Sequence, residues 1–266
     1  MNNKLKLFSL LLCLVAMVSC SLGGHNTEHD TSLSSDSDVI TTDHFTSEVI
    51  MEVVSVPHIQ IVEERIQIGS SAVNYKLLRY PNIIFEDYEL SDRINSSIKD
   101  ALERHFKKML PGASSLISGG AEIEYVVEKC EYCLSEDNRS ISIAFYVDVA
   151  VFGSGVSDET ADRSFFVLNL DLVNGVVVSN SEYYKDLNLL KEDILLGNIK
   201  PFGDSYQIDM DVVREALIQY RTDYSLFPDA YFSYDGVVVA VETTKSYGGY
   251  LLFKIPLDIA NKYFFE

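Results

Sequence analysis

The repeat length of apolar residues changes several times between residue 47 and the C-terminus, and that succession narrows the fold more than any other feature. Glu48 to Gln67 and Ala72 to Tyr80 alternate apolar and polar residues, the two-residue period of strands, with turn signals at Pro57 and Gly69-Ser70-Ser71. Tyr80-Pro81-Asn82 breaks the alternation. From Ser91, a capping residue type, the spacing predicts a helix with Ile94, Ile98, Ala101, Leu102, Phe106 and Met109 on one face, stopped by Pro111-Gly112. Ala121–Glu128, Ser140–Phe152 and Ser164–Leu172 return to the strand period. Val173-Asn174-Gly175 turns the last of these into Val176–Val178, Asn-Gly between apolar runs being a strong hairpin cue. Glu182–Leu196 and Asp209–Tyr220 read as helices, and Ala230–Ser233, Val237–Thr243 and Tyr250–Ile255 as strands, with a hairpin at Tyr234-Asp235-Gly236 and a short helical end after Pro256. Elements segregated in this way predict an α+β fold with a mainly antiparallel sheet, about three helices and two closely packed subdomains, 47–180 and 181–266. An alternating βαβ array does not fit.

The N-terminus addresses the chain rather than folding it. Lys4 and Lys6 precede a largely apolar stretch, Leu7 to Val18, which is too short to span a bilayer and suits a signal peptide. Met17-Val18-Ser19-Cys20 resembles the lipobox of bacterial lipoproteins, although Met stands where Leu is commoner. That resemblance implies cleavage after residue 19 and lipidation of Cys20, with two or three acyl chains holding the protein stably to a membrane. Residues 20–46, rich in Ser, Thr, Asp and Gly, read as a disordered tether. The expected location is extracytoplasmic, the outer membrane or cell surface being favoured over the inner membrane because Ser21, not Asp, follows the cysteine.

Charge excludes some partners. The chain carries 21 Lys+Arg against 40 Asp+Glu, a net −19, and loss of Lys4 and Lys6 with the signal peptide makes it −21. Nucleic acid is thereby excluded as a partner, because its affinity rests on cations that neutralise phosphates.

Several short segments, in order, resemble the PdaC/RsiV-like extracytoplasmic domain across residues 60–265. They are Lys76-Leu-Leu-Arg79-Tyr80-Pro81-Asn82-Ile83, Arg93-Ile94-Asn95-Ser-Ser-Ile98, Asn169-Leu-Asp171-Leu-Val-Asn-Gly175, and the tail from Phe227-Pro228-Asp229 through Asp235-Gly236 and Tyr247-Gly248-Gly249 to Ile255-Pro256. Domains of that family stand before polysaccharide deacetylase domains or form the outer half of an anti-sigma factor that recognises lysozyme. The resemblance implies a binding or sensing module at the cell wall. Neither function transfers whole, since the expected lipid anchor replaces the spanning helix of the anti-sigma arrangement and 266 residues leave no room for a deacetylase domain.

Candidate chemistry is sparse. Cys130-Glu-Tyr-Cys133 has redox or zinc-ligand spacing, but only His58 and His105 accompany it in the folded part, and a local disulfide is the expectation in an oxidising compartment. His25, His29 and His44 sit on the tether without fixed geometry. Ser96-Ser97-Ile98-Lys99 matches the S-x-x-K of penicillin-recognising enzymes without their other motifs, and Asp209-Met-Asp211 suits a helix cap better than a calcium loop. Glu122, Glu124 and Glu128 share a strand face, with Asp148 and Asp171 on neighbouring strands; a solvated face is the plain reading and acid–base work the sharper one. Tyr247, Gly248, Gly249 and Tyr250 form a candidate ligand face. No cofactor, metal or catalytic set is expected. The sequence thus favours a non-enzymatic, lipid-anchored envelope protein that binds an envelope protein, a lysozyme-like cationic protein or a cell-wall glycan. The alternatives are a wall polysaccharide or peptide hydrolase using paired carboxylates, and a structural surface lipoprotein.

Overall fold

The computed structural model describes residues 56–153, 160–201, 209–220, 226–244 and 248–265. The segments read above as a signal peptide and a tether, with Cys20, His25, His29 and His44, and also Tyr247, lie outside them. The architecture is α+β, with nine strands and five α-helices among the described residues.

Six strands form one sheet in the order β1 to β6: His58–Gln67, Tyr75–Ile84, Ala121–Leu134, Ser140–Gly153, Thr160–Asp171 and Val176–Val178. All pair antiparallel except β2 with β3, which run parallel over three residues each. The long helix α1, Tyr88–Met109, lies between β2 and β3 in the chain. Its N-cap is Asp87, whose carboxylate accepts from the Glu89 and Leu90 N–H groups; Ser91, the expected cap, instead donates to the Asp87 carbonyl and accepts from the Phe85 N–H. Ile94, Ile98, Leu102 and Phe106 fall on one stripe and pack with Ile123, Tyr125, Val127, Ile143, Phe145 and Val147 into a common core. Each such fully buried aliphatic contributes about 1.5–3 kcal/mol. Asn95 adds direction by bonding both the N–H and the C=O of Ile83 at 2.9 and 2.8 Å, which fixes the helix to the end of β2. The helix ends at Met109, just before Pro111-Gly112 as expected, and a separate short helix, α2 (Ala113–Ser118), starts after Gly112, whose φ of 79° redirects the chain.

Three further strands, β7 (Asp229–Ser233), β8 (Gly236–Glu242) and β9 (Tyr250–Pro256), make an antiparallel sheet. One face carries a second core, Ala230, Val237, Val239, Val241, Leu251 and Phe253, against α3 (Leu187–Leu195), α4 (Met210–Ile218) and α5 (Leu257–Ala260). Two readings change here. The helix expected over 182–196 is interrupted, because Tyr184 bridges to Phe264 and Asp186 caps a new start at Leu187. The helix count reaches five: the six-residue α2 was not expected, while the four-residue α5 is the short helical end read after Pro256.

The other face of this small sheet meets the large one. Tyr231, Val238, Ala240 and Leu252 pack with Cys133, Ala144 and Phe165, so β8 is apolar on both faces and loses alternation. Side chains seal the seam between the sheets. The Val167 N–H donates to the Asp229 carboxylate at 3.1 Å, Asn169 Nδ2 donates to the Ala230 carbonyl at 3.1 Å, and the Phe232 N–H donates to Ser142 Oγ at 3.0 Å. β7 pairs only with β8, and β6 covers only Asn169 to Asp171 of β5, so each sheet presents an edge whose polar groups the other sheet's side chains satisfy. Asn169 is 3% exposed and Ser142 5%, burial that polar residues tolerate when hydrogen-bonded.

Candidate functional site

The small sheet covers only part of the large one. Along β4 the residues turned toward it run Ser142, Ala144 and Tyr146, and then the same face continues with Asp148 and Ala150 beyond its reach. Cross-strand pairing sets the open part: Glu124 stands opposite Ala150, and Ala150 opposite Ala161; Val126 stands opposite Asp148, and Asp148 opposite Arg163. The small side chains of Ala150 and Ala161 leave a recess where larger residues would fill the face. Glu128 joins it at a β-bulge between Val127 and Lys129.

The result is a cleft of about 710 Å³. Its floor is Val126, Ala150 and Ala161; its far wall is Glu242, Thr243, Gly248 and Gly249; Lys108 and Met109 of α1 close one end. Gly249 has φ +83°, and a Cβ there would stand 2.1 Å from the Arg163 carbonyl, so only glycine lets this wall approach β5. Four carboxylates face the cleft, from Glu124, Glu128, Asp148 and Glu242, against the cations of Lys108 and Arg163. Lys108 pairs with Glu242, and Arg163 Nε lies 3.7 Å from Asp148. Glu124 and Glu128 have no ion-pair partner among the described residues. No group of three or more His, Cys, Asp or Glu side chains among the described residues could hold a metal ion, so these acids line a surface rather than a cage.

The sequence candidates divide. Glu124, Glu128, Asp148, Gly248 and Gly249 converge on the cleft, from two strands and a distant turn. Glu122 is exposed on the same strand face and does not line it. Asp171 is spent on the turn after β5, accepting from the Val173 and Asn174 N–H groups. Tyr250 belongs to the seam, its ring 5.6 Å from that of Phe165. Asp209 caps α4 through the Asp211 N–H, and Asp211 pairs with Arg214. Lys99 is held by Glu64 and lies over the Tyr80 ring rather than reaching Ser96.

The expected Cys130–Cys133 disulfide is not formed; both are free thiols. They lie three residues apart on one continuous strand, so Cys130 packs toward the core under α1 and Cys133 toward the seam. Burial pushes the Cys130 thiol up to about 12, which leaves it unreactive.

One polar row was not legible beforehand. His105, 7% exposed on the apolar stripe of α1, has Nδ1 at 2.8 Å from the Tyr125 hydroxyl and Nε2 at 2.9 Å from Ser164 Oγ, with its ring stacked on Phe166. Ser164 lines the cleft, so the row suggests a nucleophile with its base. Burial argues otherwise. The direction of both hydrogen bonds follows the imidazole tautomer, but burial lowers the His105 pKa to about 3, which makes the ring a poor base for a serine proton. The row joins α1 to β3 and β5. The only sequence hint was a histidine among helix positions that are otherwise apolar.

No protein-family model matches the chain, and no curated protein matches it in sequence. Among solved structures it is similar to a DUF3298 family protein from Bacteroides fragilis NCTC 9343, with 13% identity and a TM-score of 0.43. It is also similar to a DUF3298 family protein from Pseudomonas aeruginosa PAO1, with 13% identity and a TM-score of 0.47. Each match covers 79% of this chain and 94% of the other.

Proposed function

We propose that this protein is a non-enzymatic binding or sensing module, tethered to the outside of a bacterial envelope through lipidated Cys20, and that its cleft receives a cationic partner. The observation that carries the reading is the cleft itself: an apolar floor under a rim of four carboxylates, two of them without a neutralising partner among the described residues. Such a rim draws cations from solution, and the net −19 of the whole chain extends the attraction beyond contact distance. A lysozyme-like cationic protein has the required charge. The lipobox-like Met17-Val18-Ser19-Cys20 and the segments resembling a PdaC/RsiV-like domain support the location and the sensing role.

The test is capture from envelope extracts, with and without added lysozyme, using the wild-type protein and a Glu124→Gln, Glu128→Gln, Asp148→Asn variant. The wild type is expected to retain a cationic protein that the variant loses, with retention weakening as salt rises. Equal capture by both proteins, or capture indifferent to salt, would overturn the reading. Labelling with radioactive palmitate tests the anchor separately: incorporation should vanish in Cys20→Ser.

A further inference from the structure

The seam contains a carboxylate that the binding reading does not use. Asp229 opens β7 and reaches across to β5, where one oxygen accepts the Val167 N–H at 3.1 Å and the other accepts from Asn180 Nδ2 at 2.7 Å. No ion pair neutralises it among the described residues. Part of the residue faces a groove of about 460 Å³ beside the β5 edge, so protons have access, while protein crowds the carboxyl group itself.

We propose that Asp229 is a proton-operated latch between the two sheets, closing the joint of β7 with β5 more firmly as the surroundings acidify. The physical argument is a comparison of closed and open joints. Closed, the ionised carboxylate has two hydrogen bonds but has lost most of its water; open, it is hydrated. A neutral carboxyl loses far less on closing. Proton uptake therefore favours the closed form.

The surrounding charges preserve this behaviour. Glu242, from β8, raises the proton affinity of Asp229; Lys108, from α1, lowers it but is paired with Glu242. His105, also from α1, stays neutral, and Arg104 beside it lines the same groove. Tyr184 and Tyr220 have their own pKa values raised, chiefly by burial, and remain uncharged. Desolvation dominates the balance and brings Asp229 to about 6. Because the folded value is raised, the stabilisation is absent well above pH 6, grows as pH falls through it, and is complete below the unfolded carboxylate value.

The Val167 amide reports the joint directly. In the full-length protein, hydrogen exchange corrected for its intrinsic pH dependence should show the closing constant rising about tenfold from pH 7 to pH 5. Asp229→Asn should abolish the change. Carbon-13 titration of the Asp229 carboxyl should give a midpoint near 6, and Glu242→Gln should move that midpoint down. These two measurements decide the matter even if the Asn variant fails to fold. Val167 protection that does not change with pH, or a carboxyl midpoint in the ordinary range near 4, overturns the proposal.

Discussion

The outer face of the six-stranded sheet is divided between two regions, the sealed seam and the open cleft, built from the same strands. On β5 the division falls between Arg163, which lines the cleft, and Phe165, whose ring sits between those of Tyr146 and Tyr250 at 5.0 and 5.6 Å. On β4 it falls between Asp148 and Tyr146. Strand geometry is continuous across the boundary; only what lies on top changes. Where β7–β9 cover the sheet, Asn169, Ser142 and Asp229 bond a backbone edge, while Tyr146 gives its hydroxyl proton to Glu131 and Asn169 Oδ1 has no hydrogen-bond partner among the described residues. Where they stop, carboxylates crowd together, because water screens them and no partner is required. The cleft is thus the place where cover ends, while Gly249 brings its far wall close enough to make a pocket rather than a bare sheet.

That contrast can be broken most severely in the seam. Phe165→Ala removes an aromatic side chain that is 2% exposed and should lower stability by about 4 kcal/mol in urea unfolding, whereas a loss below about 1 kcal/mol would mean the two sheets are not a packed unit. Asp229→Ala leaves the Val167 N–H and Asn180 without their acceptor and should cost about 2–3 kcal/mol at pH 7 in the same assay. At the boundary, Gly249→Ala forces a Cβ against the Arg163 carbonyl; a cost of about 1–3 kcal/mol, with weaker partner capture, would show that the wall position matters. In the cleft the sign of the comparison reverses. The Glu124→Gln, Glu128→Gln, Asp148→Asn protein should keep its unfolding free energy within about 0.5 kcal/mol per site while losing the cationic partner. Smallest is an acid-side effect away from both regions. Hydrogen bonds from Tyr263 and Asn198 hold the Asp193 carboxyl below its usual range, so its contribution is present above the unfolded carboxylate value and is lost as pH falls through the folded one, below about pH 4. The stability gap between wild type and Asp193→Asn should close there, the opposite direction to Asp229.

Particular residues show what could be read in advance. Most strands, the apolar stripe of α1 and the role of Asp209 as a cap followed from spacing, because period and capping are local properties of the chain; the break expected at Tyr80-Pro81-Asn82 did not, since β2 runs through it, with Pro81 opposite Ile61 of β1. The acids Glu124, Glu128 and Asp148 were visible as one face, and Gly248-Gly249 as a separate candidate. That they line one cleft was not visible, since roughly a hundred residues separate them and only packing of the small sheet brings them together. Tyr250 and the cysteine pair failed for a related reason. A single residue of register decides whether a side chain meets the cleft, the seam or the helix, and spacing along the chain does not say which face is covered.

Local chemistry therefore determined the elements and the acidic surface, each of which depends on neighbours a few residues away. Tertiary structure alone decided which carboxylates stay in water and which one, Asp229, is taken out of it. Burial depends on what a distant segment places overhead, and that same burial sets whether a charged group is a binding surface or a cost to the fold.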